Sequence, residues 1–172
     1  LSSSSAASDV YKRQAELGPN CIAVPEDIST VEGCKALAAT MADKEDGIDI
    51  LVNNAGAAWG EAFETFPESA WDKVMDLNVK SIFFLTQALH GLLKAGASAE
   101  EPAKVINIAS IDGLRLNTWE TYSYQTSKAA VIQLTRRLAA RLVKDGILVT
   151  GIAPGAFCLL YTSDAADEED SV

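Results

Sequence analysis

Apolar residues in the middle of the chain form short continuous runs that alternate with longer stretches of helical spacing. The continuous runs predict strands at residues 21–24, 48–52, 105–109 and 147–152. The helical spacing predicts helices at residues 31–42, 68–95 and 122–144. Near-continuous apolar strands that alternate with helices are typical of a parallel sheet buried on both faces. We therefore expect an α/β fold with a Rossmann-like, doubly wound parallel sheet.

Polar and small residues follow three of these strands directly. Asn53-Asn54-Ala55-Gly56 comes after the second strand, Ser110 after the third, and Pro154-Gly155 after the fourth. Ligands of open α/β sheets bind beyond the carboxyl ends of the strands. These residues therefore predict a binding site at one edge of the sheet.

Tyr124 and Lys128 stand four residues apart at the start of the last predicted helix. Positions i and i+4 share one helix face, so the phenol and the ammonium project to the same side. A nearby cation favours the charged form of a phenol, so the pair is suited to acid-base chemistry. Ser110 is suited to hydrogen-bond a substrate carbonyl as negative charge develops on its oxygen.

Each motif alone has a simpler structural explanation. Tyr-x-x-x-Lys arises easily by chance, an Asn-Asn-Ala-Gly segment is commonly just a turn, and a serine after a strand commonly caps a helix. Their joint order on strand, turn and helix favours a catalytic site that reduces a carbonyl with a nicotinamide.

The two ends of the chain differ from the middle. Residues 4–14 and 158–168 match translations of a common sequencing adapter and of its reverse complement. We therefore expect residues 1–14 and 158–172 to be an adapter-derived arm and acidic tail, both disordered, flanking a partial domain at residues 15–157. The alternative is a natural Ser-rich arm and a natural acidic tail.

The charge balance excludes some partners. The net charge of −10 becomes −6 when the arm (+1) and the tail (−5) are set aside. A mildly acidic domain lacks the excess of positive charge that binding to nucleic acid or to an anionic membrane requires. Its cysteines form no CxxC motif, so no metal site is expected, and no apolar run reaches the length of a membrane span. We expect a cytoplasmic protein.

The motifs together resemble the short-chain dehydrogenase/reductase family over residues 20–157. The resemblance is carried by the following segments: Asn53-Asn54-Ala55-Gly56, Leu77-Asn78-Val79, Asn107-Ile108-Ala109-Ser110, Tyr124-Gln-Thr-Ser-Lys128 and Ile152-Ala153-Pro154-Gly155. It implies that Tyr124 is the general acid-base, that Lys128 activates it and holds the nicotinamide ribose, and that Ser110 orients the substrate. Asn78 would hold a water of a proton relay, and Asp27 would contact the adenine. Asn54, Ala55 and Gly56 would line the cofactor, NADP or NAD with NADP favoured, and Pro154-Gly155 would lie near the nicotinamide.

Within the family, the chain is most similar to 3-oxoacyl-thioester reductases of the rhamnolipid-precursor branch. This rests on Trp59-Gly60, the insert at residues 97–102 and the run at residues 152–157. A sugar or polyol dehydrogenase of the gluconate 5-dehydrogenase type is the alternative. The resemblance also implies a homodimer or homotetramer that pairs through the two long helices.

The chain also departs from the family pattern. The Gly-rich turn of the first strand, which binds the cofactor pyrophosphate, is absent from the sequence, as are the first two strands and the C-terminal part. We therefore expect the fold to be incomplete and activity to be lost in this chain. A non-catalytic fragment, a regulatory binding protein and the extended epimerase branch are the other hypotheses.

Overall fold

A computed structural model describes residues 16, 18 and 20–155. The predicted arm and tail, at residues 1–14 and 158–172, lie outside these residues. Three strands form one parallel sheet in the order β1-β2-β3: β1 (Ile50–Asn53), β2 (Ala103–Ile108) and β3 (Ile147–Ile152). The Rossmann-like parallel arrangement is confirmed as a partial fold, and three of the predicted strands form within two residues of their expected bounds.

The predicted strand at residues 21–24 is wrong for the described structure. In the described structure these residues form no strand, and the Cys21 amide donates to the Gly18 carbonyl in a turn. A short apolar run becomes a strand only where a neighbouring strand takes up its backbone hydrogen bonds. Within the described residues, β1 is the end of the sheet and offers its outer edge to no other strand.

The first helix begins at a side-chain cap, and the last long helix ends just before a glycine. Thr30 caps α1 (Val31–Ala42), because its Oγ1 accepts from the Gly33 amide at 3.0 Å. The last long helix, α5 (Tyr122–Leu142), ends in a 3-10 turn at Val143–Asp145, after which Gly146 takes a φ of 75°. Its predicted extension through residue 144 is therefore wrong by two residues.

The long helix predicted at residues 68–95 is wrong as a single α-helix. It is divided into α2 (Glu68–Met75), a π turn (Asp76–Lys80), α3 (Ser81–Ala88) and α4 (His90–Gly96). Leu89, with a ψ of 0°, separates the last two helices. Apolar periodicity is nearly the same on both sides of each interruption, so it does not reveal them.

The core lies on one face of the sheet. Ala103, Val105 and Ile147 are buried there beneath apolar side chains of the helices. The opposite face carries Ile50, Val52, Leu148 and Ile152, which remain 54, 52, 48 and 50% exposed. In the described part of the chain, the sheet is therefore covered on one face only.

A ladder of buried polar side chains crosses the sheet to α5. Asn53 Nδ2 donates to Asn107 Oδ1 at 2.8 Å, and Asn107 Nδ2 donates to Thr135 Oγ1 at 2.9 Å. The Thr135 hydroxyl donates in turn to the Val131 carbonyl at 2.7 Å. Asn53 and Asn107 are direct partners in the β1-β2 register. Because a one-residue slip would leave these buried groups unpaired, the ladder fixes that register.

We expect Thr135→Val to lower the free energy of unfolding by about 1–3 kcal/mol, since the isosteric change leaves the Asn107 amide unsatisfied. Urea denaturation followed by circular dichroism measures the loss. Thr126→Val, on an exposed position of the same helix, is the matched control. Equal midpoints for the two variants would contradict a stabilising role for the ladder.

Candidate active site

Lys128 is the most buried charged group of the site. It projects from the second turn of α5 and is only 6% exposed. Its Nζ donates to the carbonyl of Ile108, the last residue of β2, at 2.8 Å and lies 5.6 Å from the centroid of the Tyr124 ring. Burial in a poorly solvated environment lowers the pKa of Lys128 from its ordinary value of 10.5.

Ser110 begins the turn that follows β2. Its backbone is extended, and its Oγ accepts from the Asp112 amide at 3.1 Å, so it caps the 3-10 turn Ile111–Gly113. Gly113 packs directly on α5, where a Cβ would come within 2.5 Å of the Lys128 carbonyl carbon. The absence of a side chain at Gly113 therefore brings the Ser110 turn against the helix that carries the lysine.

The segment after β3 runs beside the Ser110 turn. The Ile111 amide donates to the Pro154 carbonyl at 3.0 Å, and the Ala109 amide donates to the Ile152 carbonyl at 2.8 Å. Pro154 and Gly155 are half-buried at this position. The ends of β2 and β3 are thus joined at the same edge of the sheet.

Asn78 fastens the segment after β1 to α5. It lies in the π turn, where the Ser81 amide bonds to the Asp76 carbonyl five residues back. The buried Asn78 Oδ1 accepts from the Ala57 amide at 2.8 Å, while its Nδ2 donates to the Ala57 carbonyl and to Ser127 Oγ, both at 2.9 Å. The π turn presents this carboxamide to both neighbours at once.

Gly56 stands between the amide and the ammonium. A Cβ at this position would lie 3.2 Å from Asn78 Oδ1 and 3.7 Å from Lys128 Nζ. Asn54 and Ala55 precede it in the same turn and are exposed. The turn therefore leaves an open surface of small side chains next to Lys128, which is the kind of surface that a flat cofactor ring requires.

The structure brings most of the sequence-predicted residues together at one edge of the sheet: Asn54, Ala55, Gly56, Asn78, Ser110, Tyr124, Lys128, Pro154 and Gly155. Asp27 is not joined to them by any contact among the described residues. Its carboxylate accepts from the Ser29 hydroxyl at 2.6 Å and from the Ser29 amide at 3.1 Å, and these hydrogen bonds lower its pKa. In this structure, Asp27 therefore holds the turn that leads into α1.

Sequence reasoning missed residues that support the site from behind. Ser127 holds Asn78, Gly113 admits the Ser110 turn, and Asn107 and Thr135 hold the end of β1 through Asn53. Asn107 gave a usable signal, since an amide inside a continuous apolar strand requires a buried partner. Ser127 gave one too, because it shares the helix face of Tyr124 by its spacing.

Two general findings apply to the part of the chain that the structure describes. It contains no group of three or more His, Cys, Asp or Glu side chains placed to hold a metal ion. None of its helices combines the length and the apolarity that crossing a bilayer demands.

The chain belongs to the short chain dehydrogenase family, whose family model matches residues 1–169. It is 44% identical over 167 residues to the rhamnolipids biosynthesis 3-oxoacyl-[acyl-carrier-protein] reductase of Pseudomonas aeruginosa, across 97% of this chain and 65% of that protein. It is 34% identical over 167 residues to the 2-dehydro-3-deoxy-D-gluconate 5-dehydrogenase of Dickeya dadantii, across 94% of this chain and 62% of that protein.

Among solved structures, the chain is similar to the Pseudomonas aeruginosa RhlG/NADP active-site complex. The TM-score is 0.82 at 45% identity, across 90% of this chain and 60% of that one. The chain therefore spans slightly less than two thirds of the length of these relatives. The expected membership of the family, and the expected similarity to its rhamnolipid branch, are both confirmed.

The lowered pKa of Lys128 predicts a pH-dependent stability difference. Between its folded pKa and its ordinary value, the folded chain binds fewer protons at this site than the unfolded chain, so stability rises with pH. We expect wild type to gain stability relative to Lys128→Met as the pH is raised from 7 to 10. Urea denaturation at several pH values measures the gain, with the exposed Lys94→Met as control. A pH-independent difference would show that the buried charge carries no such cost.

Proposed function

We propose that this chain comes from an NAD(P)-dependent oxidoreductase that reduces a carbonyl to a hydroxyl through Ser110, Tyr124 and Lys128. The observation that carries the proposal is the buried Lys128 ammonium, which lies over the Tyr124 ring and donates to the Ile108 carbonyl, two residues before Ser110. Tyr124 gives its phenolic proton to the carbonyl oxygen as the oxygen becomes an alkoxide. Lys128 stabilises the phenolate that remains, and Ser110 donates a hydrogen bond to the same oxygen.

The residues around Lys128 fit a nicotinamide cofactor. A bound nicotinamide supplies the hydride that the carbonyl carbon receives. Asn54, Ala55 and Gly56 would line it, Lys128 would hold its ribose, Pro154-Gly155 would lie near its ring, and Asp27 would contact the adenine. We favour NADP over NAD, in keeping with the NADP complex of the similar solved structure. Asn78 would act through the backbone of Ala57 and through a water of the proton relay.

For the substrate, we propose a 3-oxoacyl thioester. Support comes from the 44% identity with the rhamnolipids biosynthesis 3-oxoacyl-[acyl-carrier-protein] reductase, against 34% for the gluconate-type dehydrogenase. A sugar or polyol dehydrogenase of that second type is the alternative function. We further propose a cytoplasmic homodimer or homotetramer that pairs through α2–α4 and α5.

The roles of the catalytic residues can be tested by grafting residues 20–155 into the Pseudomonas reductase in place of its matching segment. We expect the graft to reduce a 3-oxoacyl thioester with NADPH, and Tyr124→Phe to lower kcat about 10²–10⁴-fold because the proton donor is lost. Tyr122→Phe, two residues away, is the matched control and should retain kcat. A Tyr124→Phe graft with undiminished kcat would overturn the proposed mechanism.

The 172-residue chain by itself is proposed to be inactive, since its sequence contains no Gly-rich turn to bind a pyrophosphate. We expect its dissociation constant for NADPH to be weaker than about 1 mM, a binding free energy smaller than about 4 kcal/mol. Titration followed by the fluorescence of the reduced nicotinamide measures it. Clear saturation below that concentration, together with turnover, would contradict this part of the proposal.

A further inference from the structure

Lys128 is buried without a carboxylate to pair with its charge. The side chain is 6% exposed, and its Nζ donates to the Ile108 carbonyl at 2.8 Å. None of the ion pairs in the described part of the chain includes Lys128. A buried ammonium that lacks such a partner is destabilised relative to the neutral amine.

The titratable side chains of the surrounding elements do not supply this partner. Tyr124 lies on the same helix and Asp112 in the turn after β2, while Asp76 and Lys80 of the π turn pair with each other at 3.1 Å. Loss of water is what lowers the pKa of Lys128. At any pH below the ordinary pKa of a lysine, a larger fraction of this side chain than of an exposed lysine is therefore the neutral amine.

The amine form of Lys128 is a nucleophile. It has two N–H groups and one lone pair, and one N–H is enough for the hydrogen bond to the Ile108 carbonyl. The lone pair can then attack an electrophilic carbon. Lysines that are desolvated in this way form imines with carbonyl compounds.

A small space beside Gly56 gives access to the Lys128 amine. Gly56 is exposed, and a Cβ built on it would lie 3.2 Å from Asn78 Oδ1, 3.7 Å from Lys128 Nζ and 3.9 Å from the Asn54 carbonyl oxygen. A carbon atom in this space is thus close to the separation of ~3–3.5 Å from which bond formation begins. Because three polar atoms surround it closely, the space admits a slender group and excludes a branched one.

We propose that Lys128 captures small unbranched aldehydes as an imine, with the carbonyl carbon held beside Gly56. The lone pair of Nζ forms a bond to the carbonyl carbon, the C–O bond breaks, and both hydrogens of the amine leave with the oxygen as water. Nothing is oxidised or reduced in this step, and water reverses it. The capture goes beyond the proposed reduction, since it requires neither a nicotinamide nor Ser110.

The test is reductive trapping on the full 172-residue chain in the absence of NADPH. Propanal is the probe, and sodium cyanoborohydride is the hydride donor that reduces the protonated imine to a stable N-propyl amine while it spares the aldehyde. Chymotryptic digestion and mass spectrometry then quantify the adduct on each lysine. We expect an adduct on Lys128, measured as its ratio to the adduct on the exposed Lys94 in the same sample.

The pH dependence of this ratio distinguishes a desolvated amine from one that is merely accessible. Below the pKa of Lys128, its advantage in amine fraction over an exposed lysine is constant, and above that pKa the exposed lysine catches up. The ratio should therefore fall as the pH is raised from 7 to 10, whatever fixed penalty burial places on access. A ratio that stays constant or rises, or no adduct on Lys128 at pH 7, would overturn the proposal.

Two glycine variants test where the carbonyl carbon lies. Gly56→Ala fills the space with a methyl group and should lower the Lys128 adduct about tenfold, since displacing a reacting atom by ~1 Å costs a factor of this order or more. Gly91→Ala, where a Cβ meets no atom within 4 Å, should leave the adduct unchanged. Equal adducts in the two variants would show that capture does not use this space.

A second aldehyde gives the same test without any substitution. The branched 2,2-dimethylpropanal should modify Lys94 and leave Lys128 unmodified, so this comparison holds even if Gly56→Ala changes the urea midpoint. Equal ratios of Lys128 to Lys94 adduct with the two aldehydes would contradict the proposal. None of these results depends on NADPH or on Ser110, so the proposed reduction can fail while the capture stands, and the reverse.

Discussion

The buried ammonium of Lys128 is the feature on which the arrangement of the rest of the site depends. Lys128 has three donor hydrogens and almost no contact with solvent, yet its one protein acceptor among the described residues is the Ile108 carbonyl. Burial of a charge is costly unless the charge is paired and hydrogen-bonded. Gly56 lies next to the ammonium, while Gly113 lets the Ser110 turn pack on the backbone of Lys128. The pKa of Lys128 is lowered because burial removes water from around its ammonium group.

Two buried polar networks reach α5, one from the end of β1 and the other from the segment that follows β1. One passes from Asn53 through Asn107 to Thr135, and the other joins the Ala57 backbone to Ser127 through Asn78. They tie the end of β1 and the segment after it to the helix that also carries Tyr124 and Lys128. Apolar packing alone would allow these parts to slide, whereas paired amides and hydroxyls accept one arrangement. The polar groups therefore fix the relative positions of these elements, while the apolar groups hold the elements together.

Much of this arrangement could be predicted from the sequence, because periodicity and strand-end motifs are local signals. The bounds of α1 and β3 agree with the apolar pattern, and Tyr124 and Lys128 lie together beside the end of β2 as their spacing predicts. The strand expected at residues 21–24 failed because pairing is decided by a neighbour, not by the segment itself. The support from Gly113 was hidden for the same reason, since this residue acts by its contact with another element, α5.

The π turn at Asp76–Lys80 amounts to one extra residue in an otherwise helical stretch. Successive residues of an α-helix are rotated by about 100° around its axis, so the insertion sets the rotational phase of everything that follows. Deletion of a single residue would restore regular α-helical hydrogen bonding. It would also rotate either Asn78 away from Ala57 and Ser127 or the buried face of α3 away from the core. Changes of length should therefore be tolerated in the loops before α2 and after α4 and excluded from these five positions. In this segment the number of residues constrains the structure as strongly as the identity of the side chains does.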